Sequence, residues 1–223
     1  MKWTDEAKAY CPNGLAGNPS FVVWMAEKLG AGLLVDCGAN VGAVCVATLL
    51  SSPGSRCVAF EPQTRAADVL VGLVAANGVD VELHRQAVAK EPGIAMLKYP
   101  VDPSISGWAS IAEKPNFYEA ANMNQPFLSE QVEVTTLDTW WKDAGRPAVR
   151  VVKIDCQGAE VDILLGGAAL FATVPFLFIE IHGPTLKEHG RTKGDLRQAL
   201  TDLGYQWEHA NKHNLQCWKQ AVV

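Results

Sequence analysis

The sequence lacks the features that mark membrane proteins, exported proteins and nucleic-acid binders. No apolar run approaches the roughly 20 residues that a helix needs to cross a bilayer. Residues 1–14 contain no apolar stretch of the kind found in secretory signals. Acidic residues outnumber basic residues by 24 to 19, for a net charge of −5, which disfavours binding to nucleic acid or to an anionic membrane. We therefore expect a cytoplasmic protein with neither of these partners.

Cysteine pairs and internal repeats are also missing. The six cysteines form no C-x-x-C pair, so we expect reduced and mostly buried thiols. No repeat or low-complexity tract occurs. The chain has 223 residues, of which 48% are apolar, and a chain of this size can bury a large core without disulfides or a structural metal. We expect a single domain over residues 1–223.

The sequence does contain a regular alternation of strand-like and helix-like runs, which is typical of a parallel sheet with helices on both faces. The strand-like runs occupy residues 33–37, 56–60, 81–85, 149–155 and 175–182. The helix-like runs occupy residues 20–29, 43–50, 64–76, 159–171 and 193–203. Residues 205–219 predict two strands joined by a tight turn. The expected fold class is therefore α/β, a doubly wound and mostly parallel Rossmann-like sheet that ends in an antiparallel hairpin.

Residues 102–131 interrupt this alternation. The segment contains three prolines, three asparagines and four aromatic residues. Long irregular connections in compact domains often serve as lids or binding loops. We predict an irregular insertion that is a candidate lid. The N-terminal helical segment, residues 1–30, is a second candidate lid.

The turn after the first strand-like run carries the most chemistry. It lacks the G-x-G-x-x-G spacing of dinucleotide sites, because Gly38 and Gly42 are four residues apart. Asp36 precedes the turn and would repel a pyrophosphate, but it would attract a cation such as the sulfonium or amino group of S-adenosylmethionine. Glu61 ends the second strand-like run, where an acid can accept hydrogen bonds from both hydroxyls of a ribose. These residues predict an adenosine ligand with a positively charged tail.

Five motifs, in this order, resemble the FkbM family of S-adenosylmethionine-dependent methyltransferases: VDCGANVG, AFEP, VTTLD, VKIDCQGAE and FIEIH. The resemblance extends from Leu33 to His182. It implies a seven-stranded methyltransferase sheet with an antiparallel last strand, S-adenosylmethionine as the cofactor, and methylation of hydroxyl groups on sugars or other small molecules. Gln157 departs from the family pattern, which usually has an acid at this position.

The predicted cofactor site combines the glycine turn with residues that follow the neighbouring strand-like runs. Its members are Asp36, Gly38, Ala39, Asn40, Gly42, Glu61, Pro62, Gln86, Ala87 and Asp155.

The predicted catalytic residues lie at the ends of the fourth and fifth strand-like runs. Side chains alternate along a strand, so Lys153 and Asp155 share one face, as do Glu180 and His182. We predict that Lys153 pairs with Glu180 or another acid. We predict His182 as the base that takes the hydroxyl proton, while Asp155 orients the acceptor or acts as the base instead. The predicted catalytic set is His182, Asp155 and Glu180, and Glu160 is a further acidic candidate.

Several alternatives remain open at this point. A nicotinamide-linked oxidoreductase would share the sheet and the acid at Glu61, but the glycine spacing disfavours it. A non-catalytic domain that only binds S-adenosylmethionine is compatible with Gln157. Asp155, Glu180 and His182 could bind a divalent metal, but no spacing fixes its geometry, so we predict no metal.

The methyl acceptor is predicted to be a small molecule. Four basic residues follow the fifth strand-like run, and they could meet a carboxylate or phosphate on that molecule: His189, Arg191, Lys193 and Arg197. N-methylation is an alternative to O-methylation, since an amine needs the same geometry.

Overall fold

The computed structural model describes residues 1–12, 14–15, 19–112, 126–181 and 183–219. The strands are β1 (Leu33–Cys37), β2 (Arg56–Phe60), β3 (Val81–His84), β4 (Gln86–Val88), β5 (Gly93–Pro100), β6 (Phe127–Thr135), β7 (Val151–Ile154), β8 (Phe176–Glu180), β9 (Tyr205–His209) and β10 (Asn214–Lys219). The helices are α1 (Asp5–Tyr10), α2 (Pro19–Leu29), α3 (Ala43–Leu50), α4 (Thr64–Asn77), α5 (Leu137–Asp143), α6 (Glu160–Gly166), α7 (Ala168–Phe171), α8 (Gly183–Glu188) and α9 (Lys193–Asp202). A 3₁₀ helix spans Pro103–Trp108.

The main sheet has seven strands in the order β3-β2-β1-β7-β8-β10-β9. The neighbours from β3 to β8 pair in parallel, and β10 is antiparallel to both β8 and β9. The predicted Rossmann-like methyltransferase sheet with an antiparallel C-terminal hairpin is therefore confirmed.

Helices cover both faces of this sheet, and the side chains of β1 alternate between the two faces. Leu34 packs in the apolar cluster formed with α2, α3 and α4, whereas Val35 packs in the cluster formed with α5, α6 and α9. All five residues of β1 are buried, as is typical of a central strand in a parallel sheet. The strand-like run at 33–37 was recognisable in the sequence because four of its five residues are apolar and lie on both faces.

A second, three-stranded sheet in the order β4-β6-β5 was not predicted. Strand β5 pairs antiparallel with β6 over its whole length, from Gly93 to Pro100. The prediction of an irregular segment over residues 102–131 is wrong at both ends. Residues 103–108 form the 3₁₀ helix. Residues 127–131 belong to β6, because the backbone of β5 offers them a complete ladder of hydrogen-bond partners. Residues 113–125 lie outside the described part of the chain.

The helix predicted over residues 159–171 is divided into α6 and α7 at Gly167. Asp138 on α5 explains the second start, because its carboxylate accepts hydrogen bonds from the backbone N–H groups of Ala169, at 3.0 Å, and Leu170, at 2.8 Å. An acid at a helix start satisfies amide groups that have no partner within the helix.

Candidate functional site

An open cleft lies at the carboxyl ends of β1, β2 and β7, which is where open α/β sheets bind their ligands. The space within it amounts to about 630 Å³. Seven of the ten predicted cofactor residues line it: Gly38, Asn40, Glu61, Pro62, Gln86, Ala87 and Asp155. The lining residues that the sequence analysis missed include Phe60, Val88, Leu97, Ser106 and Gln157.

Glu61 is placed to accept hydrogen bonds from hydroxyl groups in this cleft. It directly follows β2, and only 6% of it is exposed. Its Oε2 accepts from the backbone N–H of Asn40 at 2.7 Å, and its Oε1 accepts from the backbone N–H of Gln63 at 2.8 Å. Each carboxylate oxygen can accept a second hydrogen bond. The side chain therefore retains capacity for two donors.

The surroundings of Glu61 bring its titration close to neutral pH. Burial raises the pKa of the carboxyl to about 7, although the backbone N–H groups of Gln63 and Asn40 and the ammonium of Lys153 act in the opposite direction. The charge of Asp36 adds to the rise. A ligand that donates hydrogen bonds to this carboxylate stabilises its ionised form. Such a ligand should therefore bind best when Glu61 is deprotonated.

The turn between β1 and α3 depends on glycine. Gly38 has a φ angle of 75°, and a β-carbon at this position would lie 2.0 Å from the backbone oxygen of Asp155. Both the positive φ and this close approach exclude a side chain. The N–H groups of Gly38 and Ala39 donate to the carbonyl of Phe60 at 3.0 and 3.1 Å. The turn thus ties together the ends of β1, β2 and β7 at the edge of the cleft.

Asp36 lies beneath this turn, and the structure does not bring it into the cleft. Its side chain is fully buried, and its Oδ1 accepts a hydrogen bond from Lys153 Nζ at 3.0 Å. The two residues face each other in the register of β1 and β7. The prediction that Lys153 pairs with an acid is confirmed, with Asp36 as that acid. The sequence predicted that Asp36 contacts the ligand directly. In the structure its carboxylate forms this buried ion pair instead.

Lys153 connects the buried acid to the cleft. Its Nζ also donates to the carbonyl of Gly38 at 3.1 Å and lies 3.7 Å from Asp155 Oδ2. Burial alone would lower the pKa of Lys153, but the charges of Asp36 and Asp155 outweigh burial and raise it. The ammonium is therefore charged and balances one of the two carboxylates. Asp155, whose side chain is 25% exposed, presents the remaining negative charge to the cleft.

The other two predicted cofactor residues, Ala39 and Gly42, shape the turn and do not line the cleft in the described part of the chain. Gly42 has a φ angle of 78° and directly precedes α3. A β-carbon there would lie 2.8 Å from Leu70 Cγ, so glycine allows α3 to pack closely on α4.

Of the predicted catalytic residues, Asp155 lines the cleft. Glu180 does not line it within the described residues. It ends β8 opposite Asn214 of β10, beyond the last residue of β8 that pairs with β7. Glu180 is also not the partner of Lys153. His182 lies outside the residues that the structure describes.

Glu160, the further acidic candidate, supports the neighbouring turn. It is fully buried and accepts a hydrogen bond from the backbone N–H of Gly158 at 2.9 Å. Gln157 precedes this glycine with a φ angle of 49°, and its Nε2 lies 3.4 Å from Asp155 Oδ1. The residue that departs from the FkbM pattern thus lies beside Asp155 in the cleft.

The 3₁₀ helix forms one wall of the cleft. Asn40 Nδ2 donates to Ser106 Oγ at 3.1 Å, which joins this wall to the glycine turn. Asp102 accepts from the backbone N–H of Ser104 at 2.8 Å, and Pro103 follows it. This Asp-Pro start is a sequence signal that could have located the helix. The described part of the predicted lid therefore lies at the cleft, and its closure stays a prediction.

The described ranges contain neither a group of metal-ligating side chains nor a membrane-spanning helix. No three His, Cys, Asp or Glu side chains among these residues are grouped so that they could hold a metal ion. None of the described helices is long and apolar enough to cross a membrane. All six cysteines are free thiols.

Comparisons with known proteins give one family and a set of distant folds. The model of the methyltransferase FkbM domain matches residues 36–207. No curated protein matches the chain significantly.

The precorrin-6y C5,15-methyltransferase of Geobacter metallireducens GS-15 is 12% identical, with 90% of this chain and 87% of that chain covered and a TM-score of 0.50. An O-methyltransferase family protein from Burkholderia thailandensis is 11% identical, with coverages of 97% and 60% and a TM-score of 0.50. The magnesium protoporphyrin IX methyltransferase of Synechocystis PCC 6803, crystallised with S-adenosylmethionine, is 11% identical, with coverages of 99% and 86% and a TM-score of 0.49.

The family match carries more weight than the structures. At identities this low the solved structures show the fold alone, whereas the matched residues 36–207 make up most of the chain and include Glu61 and Asp155. The match also decides against the nicotinamide-linked oxidoreductase. The chain belongs to the FkbM methyltransferase family and is an S-adenosylmethionine-dependent methyltransferase.

Proposed function

We propose that this protein methylates a hydroxyl group of a small molecule or sugar, by in-line transfer assisted by a base. The observation that carries the proposal is the presence of Glu61 and Asp155 in one cleft. Glu61 offers a buried carboxylate with room for two hydroxyl donors, and Asp155 offers a negative charge at the adjacent strand end. This arrangement suits a ligand that has a ribose at one end and a cation at the other.

The residues of the cleft account for the parts of S-adenosylmethionine. The two remaining acceptor positions on Glu61 suit the 2′ and 3′ hydroxyls of the ribose. The apolar lining residues Pro62, Ala87 and Leu97 suit the faces of the adenine ring. The negative charge at Asp155 suits the ammonium and sulfonium groups, because opposite charges attract strongly where water is partly excluded.

Asp36 contributes to this site through other residues. Its ion pair holds Lys153, and Lys153 in turn contacts Asp155 and the carbonyl of Gly38. The expected benefit is a fixed orientation of the Asp155 carboxylate and of the glycine turn. We propose Gly38, Asn40 and Glu61 as direct contacts of the cofactor, and Asp36 as a positioning residue.

We propose that the acceptor binds beyond Asp155, over the carboxyl ends of β7 and β8. S-adenosylmethionine supplies an electrophilic methyl group on its sulfonium. The protein must hold the acceptor oxygen in line with the methyl group and the sulfur, which is catalysis by positioning. It must also remove the hydroxyl proton, which is general-base catalysis. His182 follows β8 in the chain and stays our proposed base, because an imidazole accepts a proton near neutral pH. Asp155 orients the acceptor.

The affinity for S-adenosylhomocysteine, the product form of the cofactor, should depend on pH. The pKa of Glu61 is raised to about 7, so below this pH the free protein must lose a proton before the carboxylate can accept both ribose hydroxyls. We expect the Kd at pH 6 to be about tenfold higher than the Kd at pH 8. Calorimetric titrations at the two pH values measure this ratio.

The variant Glu61→Gln is the control for this pH dependence. Its side chain does not titrate, so its weaker affinity should be equal at pH 6 and pH 8. An unchanged Kd for the wild-type protein over this range would contradict the proposed contact between Glu61 and the ribose.

The acceptor class can be tested with S-adenosylmethionine that carries a tritiated methyl group. The protein is incubated with an extract of its source cells, and small molecules, RNA and protein are then separated. We expect the label in the small-molecule fraction in a form that is stable to alkali, unlike a methyl ester. Hydriodic acid should release it as methyl iodide under conditions that cleave methyl ethers and leave N-methyl groups intact. Label in RNA would contradict the proposal. Binding of S-adenosylhomocysteine without transfer to any fraction would favour the non-catalytic alternative.

A further inference from the structure

A second cavity lies between α9 and the β9–β10 hairpin. The space within it is about 380 Å³. Its floor is formed by Ile181, Leu196 and Leu215, which are buried, and the partly buried Trp207 lies beside them. The cavity therefore offers an apolar base and one aromatic side chain.

The rim of this cavity is positively charged. Lys193 and Arg197 are four residues apart on α9 and so lie on the same side of the helix, and Lys212 comes from the turn between β9 and β10. His209 completes the polar lining, and no carboxylate lines the cavity in the described part of the chain. Within the same residues, none of the three cations forms an ion pair or a side-chain hydrogen bond.

The acids on α9 and β9 are not among the described residues that line the cavity. Asp195 is held by the start of α9, where its carboxylate accepts from the backbone N–H and hydroxyl of Thr192 at 2.7 and 2.8 Å. Asp202 accepts from Gln198 Nε2 at 2.8 Å. Glu208 lies on the face of β9 opposite the cavity, because side chains alternate along a strand. Lys193, Arg197 and Lys212 are therefore the fully charged groups among the described residues that line the cavity.

The cavity lies at the same edge of the sheet as the cofactor cleft. Ile181 directly follows β8, and β8 is the neighbour of β7, which leads to Asp155. Lys193 extends towards this edge, since its Nζ lies 3.7 Å from the position that a β-carbon of Gly183 would take. The part of the cavity formed by β10 and β9 lies two to three strand spacings from Asp155, which corresponds to about 10–15 Å. A molecule methylated beside Asp155 can therefore reach the cavity if it is longer than one sugar ring.

We propose that this cavity binds a phosphate group of the methyl acceptor, with a ring of the acceptor against Trp207. The inference rests on the proposed function, because it assigns a second anchor to the same acceptor. Three cations suit a doubly charged phosphate better than a singly charged carboxylate, and the guanidinium of Arg197 can donate two parallel hydrogen bonds to it. The apolar floor and Trp207 suit the ring that carries the phosphate. The acceptor is thus a phosphorylated glycoside, in which the ring with the phosphate and the methylated hydroxyl are about 10–15 Å apart.

The test uses the full-length protein and inorganic phosphate as the probe, in an NMR titration of ¹⁵N-labelled protein at constant ionic strength. The indole N–H signal of Trp207, assigned from its loss in Trp207→Phe, should shift and saturate with phosphate. The double variant Lys193→Gln/Arg197→Gln should bind phosphate at least about tenfold more weakly, because hydrogen bonds to charged groups are lost.

The matched control is the double variant Lys90→Gln/Lys142→Gln. Both of its lysines are exposed and lie away from the cavity. This variant also loses two positive charges, so its net charge matches that of Lys193→Gln/Arg197→Gln. It should bind phosphate as the wild-type protein does. Equal weakening in both double variants would overturn the inference, because it would show a non-specific effect of net charge.

Titration with S-adenosylhomocysteine on the same samples separates this inference from the proposed function. If S-adenosylhomocysteine binds and phosphate does not move the Trp207 signal, the phosphate site is wrong and the methyltransferase proposal stands. If phosphate binds with the expected loss in Lys193→Gln/Arg197→Gln and S-adenosylhomocysteine does not bind, the cofactor proposal fails and the anion site stands.

Two further probes distinguish the source of the anion. Acetate at the same concentration should not shift the Trp207 signal to saturation. If acetate bound as tightly as phosphate, the cavity would be assigned to carboxylates instead and the proposal would be overturned. A ten-nucleotide single-stranded RNA should bind no more tightly than inorganic phosphate. Tighter binding of that RNA, lost in Lys193→Gln/Arg197→Gln, would assign the cavity to a nucleic-acid backbone and overturn the proposal.

Discussion

Lys153→Met is expected to lower the free energy of unfolding by about 3–5 kcal/mol, since removal of one partner leaves a buried charge without compensation. Lys153 and Asp36 are 3% and 0% exposed and are joined at 3.0 Å. Water cannot replace the lost ammonium at such a position. Chemical denaturation at neutral pH measures the loss, and a thermal midpoint lowered by roughly 10 °C would accompany it.

A second substitution and a surface control make this result specific. In the double variant Asp36→Asn/Lys153→Met the buried charge is gone, so more than half of the lost stability should return. Lys142→Met, at an exposed position of α5, should change the free energy of unfolding by less than about 0.5 kcal/mol. A loss of less than about 1 kcal/mol is what an exposed surface pair would give. If Lys153→Met lowered the free energy of unfolding by no more than that, the buried ion pair would not hold the turn as described.

Glu61→Ala is expected to raise the Kd for S-adenosylhomocysteine on the order of 100-fold. Two ribose hydroxyls lose a charged acceptor, and each hydrogen bond to a charged group contributes about 1.5–3 kcal/mol. The combined loss is at least about 3 kcal/mol, which corresponds to the stated change in Kd. Isothermal titration calorimetry at pH 8, where Glu61 is ionised in the wild-type protein, measures the difference.

The controls for Glu61→Ala address the fold and the charge. Glu61 also accepts from the backbone of Asn40 and Gln63, so the variant's unfolding transition must be recorded beside its affinity. Glu91→Ala removes an exposed acid away from the cleft and should leave the Kd unchanged. A folded Glu61→Ala protein with wild-type affinity would show that the ribose lies elsewhere.

The parallel core of the fold could be predicted from the sequence because its strands carry apolar residues on both faces. Leu33–Cys37 and Arg56–Phe60 are observed with the predicted bounds, and the terminal hairpin follows from two short runs around a polar turn. The small sheet could not be predicted as easily. Its strand Phe127–Thr135 has exposed polar residues and finds its partner, β5, across a long connection. Only the alternation around Val132 and Val134 signalled it.

Site residues that directly follow a strand could be predicted from the sequence. Contacts that depend on the order of the strands in the sheet could not. Glu61 and Asp155 follow their strands directly, so their place at the sheet edge could be inferred from the sequence. The partner of Lys153 could not be chosen from sequence, because the pairing joins positions 117 residues apart. That pairing requires β7 to lie beside β1 and in register. Ser106 enters the cleft through a 3₁₀ helix inside a segment that we predicted to be irregular.

A crystal structure of the protein with S-adenosylhomocysteine tests the central claim most directly. Both ribose hydroxyls should lie about 2.5–3.0 Å from the oxygens of Glu61, with the sulfur turned towards Asp155 and the end of β8. A ribose bound away from Glu61, or a ligand that leaves the space between β1, β2 and β7 empty, would contradict this account of how the protein holds its cofactor.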